Sequence, residues 1–133
     1  AALLLSSYPK DAMARVVGYE SFSRSPETFT VAPVGAINKL LTNINWQVSD
    51  VDLFEINEAF AVVPMIAMKD LNIPREKVNV NGGACSLGHP IGASGARIIV
   101  TLVHALRQKN LKKGVAAACI GGGEATAIAV EII

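Results

Sequence analysis

Two apolar runs of strand length, Val115–Ile120 and Ala125–Ile132, are separated only by Gly121-Gly122-Gly123-Glu124. So short a connection forces an antiparallel hairpin. The chain before it does not read as a meander. Ala14–Ser21 has strand character, and Pro33–Leu41 carries Val34, Ile37, Leu40 and Leu41 at helical spacing behind a proline suited to a first turn. Val51–Ile56 follows as a strand. Glu58–Leu71 reads as a helix that Pro64 should kink, because proline cannot donate to the Phe60 carbonyl. Val78–Asn81 is a short strand. Ser94–Lys109 is the clearest helix, with Ile98, Ile99, Leu102, Val103 and Leu106 on one stripe. Alternating strands and helices that end in a hairpin predict an α/β layer, a mixed five-stranded sheet with helices packed against it. Ser21–Thr30 is the one loop-like stretch of any length.

With 133 residues the chain is one domain, or one half of a larger one. Hydrophobic residues make up 51% and charged residues 17%, which excludes disorder and suggests that some apolar surface meets a partner. A formal net charge of +1 gives no field for nucleic acid or an anionic membrane. No apolar run approaches the roughly 18–20 residues of a membrane span. Two cysteines form no disulfide framework, so reduced thiols in an intracellular, most simply cytoplasmic, setting are expected, with a mitochondrial one as the other option. Both ends look cut: Ala1–Leu5 and Ala125–Ile133 read as strands that run to the termini.

Three segments, each just past a predicted strand, could carry chemistry; ligands in open α/β sheets bind beyond those strand ends. Asn57, after Val51–Ile56, is either a helix N-cap with Glu58 favouring the first turn, or an amide placed to orient a water or an oxyanion. Five glycines fall within the fourteen residues Gly82–Gly95, which fit neither the P-loop nor the Gly-x-Gly-x-x-Gly pattern. Among them His89, between Gly88 and Pro90, is either a structural hydrogen-bonder or a held base. Cys119 ends a buried strand at the mouth of a glycine turn. It is either a small core residue or a thiol whose thiolate the turn's N–H groups favour. Cys85 reads as packing and His104 as surface. Cys85, His89, His104 and Cys119 match no zinc-ligand spacing, so no metal is expected.

Taken together, Asn57-Glu58-Ala59-Phe60, Gly82–Arg97 and Cys119-Ile120-Gly121-Gly122-Gly123 resemble the thiolases, in order and across almost the whole chain. The resemblance is to the C-terminal half of such an enzyme, whose subunit stacks two similar halves with the active site between them. It implies acyl transfer between acyl-CoA thioesters, in the manner of an acetoacetyl-CoA-forming acetyl-CoA C-acetyltransferase. No cofactor is implied beyond the coenzyme A thioester substrate. By resemblance, His89 would take the proton of an acylatable cysteine in the N-terminal half, and Cys119 would move the α-proton of the second acyl-CoA. Asn57 would hold an oxyanion-binding water, the Gly121 N–H would serve a second oxyanion hole, and Ala59 and Phe60 would line the acyl-CoA pocket. Expected partners are acyl-CoA, the N-terminal half, and further copies in a homodimer or homotetramer. The family joins its first strand, Ala1–Ser6 here, to the next by a helix. Ser7–Met13 are too few for such a crossover, so that edge is expected to be rebuilt or to lack residues. A non-catalytic module for dimerisation or acyl-CoA binding is the alternative. A ketoacyl synthase is disfavoured, since Cys119 stands where those sites resemble a second histidine.

Overall fold

The structure is a computed structural model that describes residues 1–8 and 10–133. One mixed sheet runs in the order β1-β4-β3-β2, with β1 Ala14–Ser23, β2 Leu53–Ile56, β3 Lys113–Cys119 and β4 Glu124–Ile132. β2 and β3 are parallel, in a register that sets Ile56 opposite Ala117. β4 turns back antiparallel to β3 as the glycine connection requires, and also pairs antiparallel with β1. The helices are α1 Ala32–Asn43, α2 Val62–Leu71, a single turn α3 Ala84–Leu87, and α4 Ile91–Gln108.

Each sheet face has its own core, because side chains alternate along a strand. Phe54 and Ile56 of β2, with Val115, Ala117, Ala125, Ala127 and Ala129, pack under α1 and α2. Leu53, Ala116 and Val130 pack under the Ile98, Leu102 and Leu106 stripe of α4. β2 is therefore buried on both faces along its whole length. α4 covers only part of its face. Tyr19, Ile98, Ile99, Ala118, Thr126 and Ile128 line an open groove of about 660 Å³ beside it.

Four departures from the sequence reading have physical causes. The sheet has four strands, not five. Val78 makes one parallel bridge to Phe54, after which the chain bends at Asn79, whose φ is 48°. Ala1–Ser6 is exposed and adds no strand, so no crossover to Ala14 is needed; Pro9, inside that short connection, lies outside the described residues. α2 starts at Val62 instead of Glu58, which leaves Pro64 in the first turn, where a missing N–H breaks no helical bond. There is no kink at Phe60. α4 starts three residues before Ser94, because Pro90 already sets the turn and its carbonyl accepts from the N–H groups of Ala93 and Ser94.

Candidate active site

The site lies beyond the carboxyl ends of the parallel pair β2 and β3. Asn57 directly follows β2, and its N–H donates to the Ala117 carbonyl at 2.9 Å, which carries the ladder one residue past the strand. It is 1% exposed and five residues from the start of α2, so it caps no helix. Its side chain sits on the Leu53 face, toward α4. There its Nδ2 lies 3.4 Å from Nε2 of His89.

His89 is carried by the turn between α3 and α4. Gly88 has a φ of 90°, which a side chain at that position would resist, and Pro90 fixes the other flank. Its Nδ1 is 2.6 Å from the hydroxyl of Ser94, a buried residue in the first turns of α4, and that hydroxyl lies 3.2 Å from the Pro90 carbonyl. With the Ser94 proton directed to the Pro90 carbonyl, the matching tautomer has Nδ1–H donating to Ser94, and its Nε2 lone pair then faces the amide N–H of Asn57. A neutral imidazole with a bare Nε2 is a base pointed into the site. The Asn57 Oδ1 is buried without a partner, and an orphaned acceptor beside a base is where a water or another donor would be held.

Glu58 works on a different helix from the one the sequence suggested. Its carboxylate accepts from the Cys85 N–H at 2.9 Å, at the start of α3, and from Nδ2 of Asn79, also at 2.9 Å. Asn79 in turn bonds both the N–H and the carbonyl of Ile56. Partial burial acts to raise the Glu58 carboxyl, but the Cys85 N–H and the Asn79 amide outweigh it and hold it below the usual carboxylate range. A Cβ at Gly83 would lie 2.2 Å from the Glu58 carboxyl carbon, so a side chain there would push this carboxylate from its place. The glycine-rich segment is thereby clamped to the end of β2.

Cys119 closes β3 opposite Ala125 and is half-buried, packed partly against the core under α1 and α2. Burial pushes its thiol above the ordinary value, and its own backbone N–H offsets only part of that. The expected thiolate stabilisation by the glycine turn is thus overridden by desolvation. No hydrogen bond joins Cys119 to His89 or Asn57 among the described residues. The two strand ends are nonetheless adjacent, since Asn57 pairs with Ala117, two residues before it. Cys85 is exposed and not a packing residue; contact with Glu58 pushes its thiol up. Gly121 is exposed in the hairpin turn, where a Cβ would meet nothing. Ala59 is half-buried, and the exposed Phe60 ring rests edge-on against Phe29 with centroids 6.2 Å apart. His104 is exposed on α4, and no group of three or more His, Cys, Asp or Glu among the described residues is placed to hold a metal ion. Sequence reasoning missed Ser94; its spacing of five from His89, across a proline that starts a helix, was the available signal.

The family model for the thiolase C-terminal domain matches residues 10–132. The chain belongs to the thiolase family. It is 56% identical over 119 residues to a probable acetyl-CoA acetyltransferase of Dictyostelium discoideum, covering 90% of this chain and 29% of that protein. The crystal structure of the Bacillus anthracis acetyl-CoA acetyltransferase superposes with a TM-score of 0.89 at 46% identity, over 91% of this chain and 31% of that one. The Acat5 thiolase of Ascaris suum, solved in complex with coenzyme A, superposes with a TM-score of 0.86 at 48% identity, over 91% and 31%. This thiolase chain therefore spans about three-tenths of the length of the relatives it matches, and its α/β class is theirs.

Proposed function

We propose that this chain is the C-terminal catalytic half of an acyltransferase that exchanges acyl groups between coenzyme A thioesters. It would condense two acetyl-CoA to acetoacetyl-CoA and CoA, or run the reverse thiolysis. The observation that carries the reading is the Asn57–His89–Ser94 relay, which holds an imidazole nitrogen beside an orphaned amide oxygen at a strand end. Likeness to the coenzyme A-bound Ascaris enzyme supports the substrate class.

In this reading Nε2 of His89 takes the proton from an acylatable cysteine supplied by the N-terminal half. That sulfur attacks the thioester carbonyl, and the C–S bond to coenzyme A breaks as the thiol leaves with the proton. Cys119, as thiolate, then removes an α-proton from the second acetyl-CoA. The resulting carbanion attacks the acyl-enzyme carbonyl, a C–C bond forms, the C–S bond to the enzyme breaks, and the freed sulfur recovers the proton that Cys119 took. A thiol pushed up by burial suits both directions: its thiolate is a strong base, and its protonated form can return the proton to a departing carbanion. Asn57 with its water, and the Gly121 N–H, would serve the two oxyanions. Phe60, steadied by Phe29, and Ala59 would line the acyl-CoA pocket.

The open groove beside α4 is the face on which the N-terminal half would sit, and the exposed apolar side chains Leu87 and Ile91 favour assembly into a dimer or tetramer. No helix among the described residues is long and apolar enough to cross a membrane. Two free thiols suit a reducing compartment such as the cytosol.

The test is turnover of acetoacetyl-CoA and CoA by the full-length protein that carries this chain, with the isolated chain as control. Turnover only in the full-length protein is expected. Coenzyme A binding without turnover would replace this reading with that of a non-catalytic acyl-CoA-binding module.

A further inference from the structure

The Glu55–Arg97 ion pair takes no part in the chemistry above. Leu53 of β2 packs under α4 while Phe54 and Ile56 face the opposite core, so Glu55 and Asn57 share the face toward α4. Arg97 follows Ser94 by three residues on α4 and lies on the same side of that helix. Its Nη1 donates to Oε2 of Glu55 at 3.3 Å. Strand and helix are thus joined by two rungs: Glu55 to Arg97, and Asn57 through His89 to Ser94.

We propose that Glu55 and Arg97 are positioning residues, which fix the first turns of α4 against β2 and so aim the His89 imidazole at Asn57. The inference rests on the acyl-transfer reading above. Stability alone is a poor account of the pair. Burying two charges costs about as much as their attraction returns. Glu55 is 2% exposed and its second oxygen, Oε1, has no hydrogen-bond partner. Leu53, Ile98 and Leu102 already hold α4 to the sheet. An ion pair adds what apolar contacts lack, a fixed direction between two elements.

The pair is also poised to respond to pH. Burial drives the Glu55 carboxyl up to about 7; Arg97 of α4 pulls against that, and Glu58, beyond the strand, adds to it. Across the ladder β3 offers only Ala116. Below this range Glu55 is neutral and the rung loses its charge.

The test uses the full-length protein with Glu55→Gln and Arg97→Gln. Thiolysis kcat and KM are measured from about pH 6 to 9, and His89 and His104 are labelled with diethyl pyrocarbonate and quantified as peptides by mass spectrometry. Glu55→Gln is expected to lower kcat about tenfold with KM within about twofold, and to make the acid limb of the profile shallower by removing one of the groups that must ionise. Arg97→Gln should move that limb to higher pH, because Glu55 loses the charge that favours its ionised form. In both variants the ratio of His89 to exposed His104 labelling should change. Folded variants with unchanged kcat, limb and labelling ratio overturn the proposal. Loss of fold in both would make the pair a stability element and overturn it equally. If Glu55→Gln alone fails to fold, the limb and labelling of Arg97→Gln decide. A wild-type protein with no turnover sinks the acyl-transfer reading, while the labelling ratio still tests the positioning.

Discussion

Removing one hydroxyl should separate the structural role of α4 from its role at the site. In Ser94→Ala, the Nδ1–H of His89 loses its acceptor and the Pro90 carbonyl loses a weak donor at 3.2 Å. A hydrogen bond of this kind contributes about 0.5–1.5 kcal/mol net to stability. Against that, alanine is the better helix former by about 0.5 kcal/mol, and the Pro90 carbonyl keeps its bonds from the N–H groups of Ala93 and residue 94. The net loss of stability is therefore about 0–1 kcal/mol, and the fold persists. The site fares worse. With Nδ1–H unpartnered, the ring can turn, and the tautomer that leaves Nε2 bare is no longer enforced. Misplacing a base by about an ångström costs up to about 100-fold. We expect a 10–100-fold fall in thiolysis kcat with little change in KM, measured in the full-length protein beside its thermal midpoint. Ser94→Thr, which retains the hydroxyl, should recover much of the rate. Activity of Ser94→Ala within about twofold of wild type would show that His89 is held by its loop alone.

Asn57→Ala should lower kcat by about 10–1000-fold, as the loss of an oxyanion donor does, with little change in melting temperature, because the amide oxygen it removes is already buried without a partner. A kcat within about twofold would reduce Asn57 to a packing residue. At Cys85, the Glu58 carboxylate raises the thiol by hydrogen bonding and by charge. Since only thiolate reacts, Glu58→Gln should speed iodoacetamide labelling of Cys85 near neutral pH and shift its rate profile to lower pH. Peptide mass spectrometry over a time course would read this, and an unchanged profile would remove Glu58 as the cause.

The sequence carries this fold where a pattern is long or a connection is short. The amphipathic stripe of α4 and the glycine hairpin both survive in the structure, and with them the α/β class. What the pattern could not carry was competition between neighbouring signals. Asn57-Glu58 looks like a helix start followed by an acidic first turn, yet the ladder bond from the Asn57 N–H to Ala117 keeps the chain extended. The helix then waits until Val62, where Pro64 is harmless. Glu58 does complement a helix N-terminus, as its charge suggests, but that helix is α3, twenty-six residues on. Val78–Asn81 is apolar enough for a strand; the Asn79 side chain takes both backbone groups of Ile56 and bends the chain out of the sheet after one bridge.

The same limit governs the site. His89 and Asn57 stand out by residue type, and the chain brings them within 3.4 Å. Ser94, Glu55 and Arg97 do not, because their importance lies in which faces of β2 and α4 meet. Cys119 shows the reverse error. From sequence, a thiol beside three glycines meets N–H groups that favour its thiolate. In the fold it is half-buried against apolar side chains, and desolvation decides the sign of the shift. A local motif reports which dipoles can be near a group, whereas burial, a property of the packed layers, decides how much the charge costs there. For an acid–base thiol that cost is useful. In the role proposed for it, the Cys119 thiolate, once formed, would be a stronger base than a solvated one, and its thiol could return the proton to a departing carbanion.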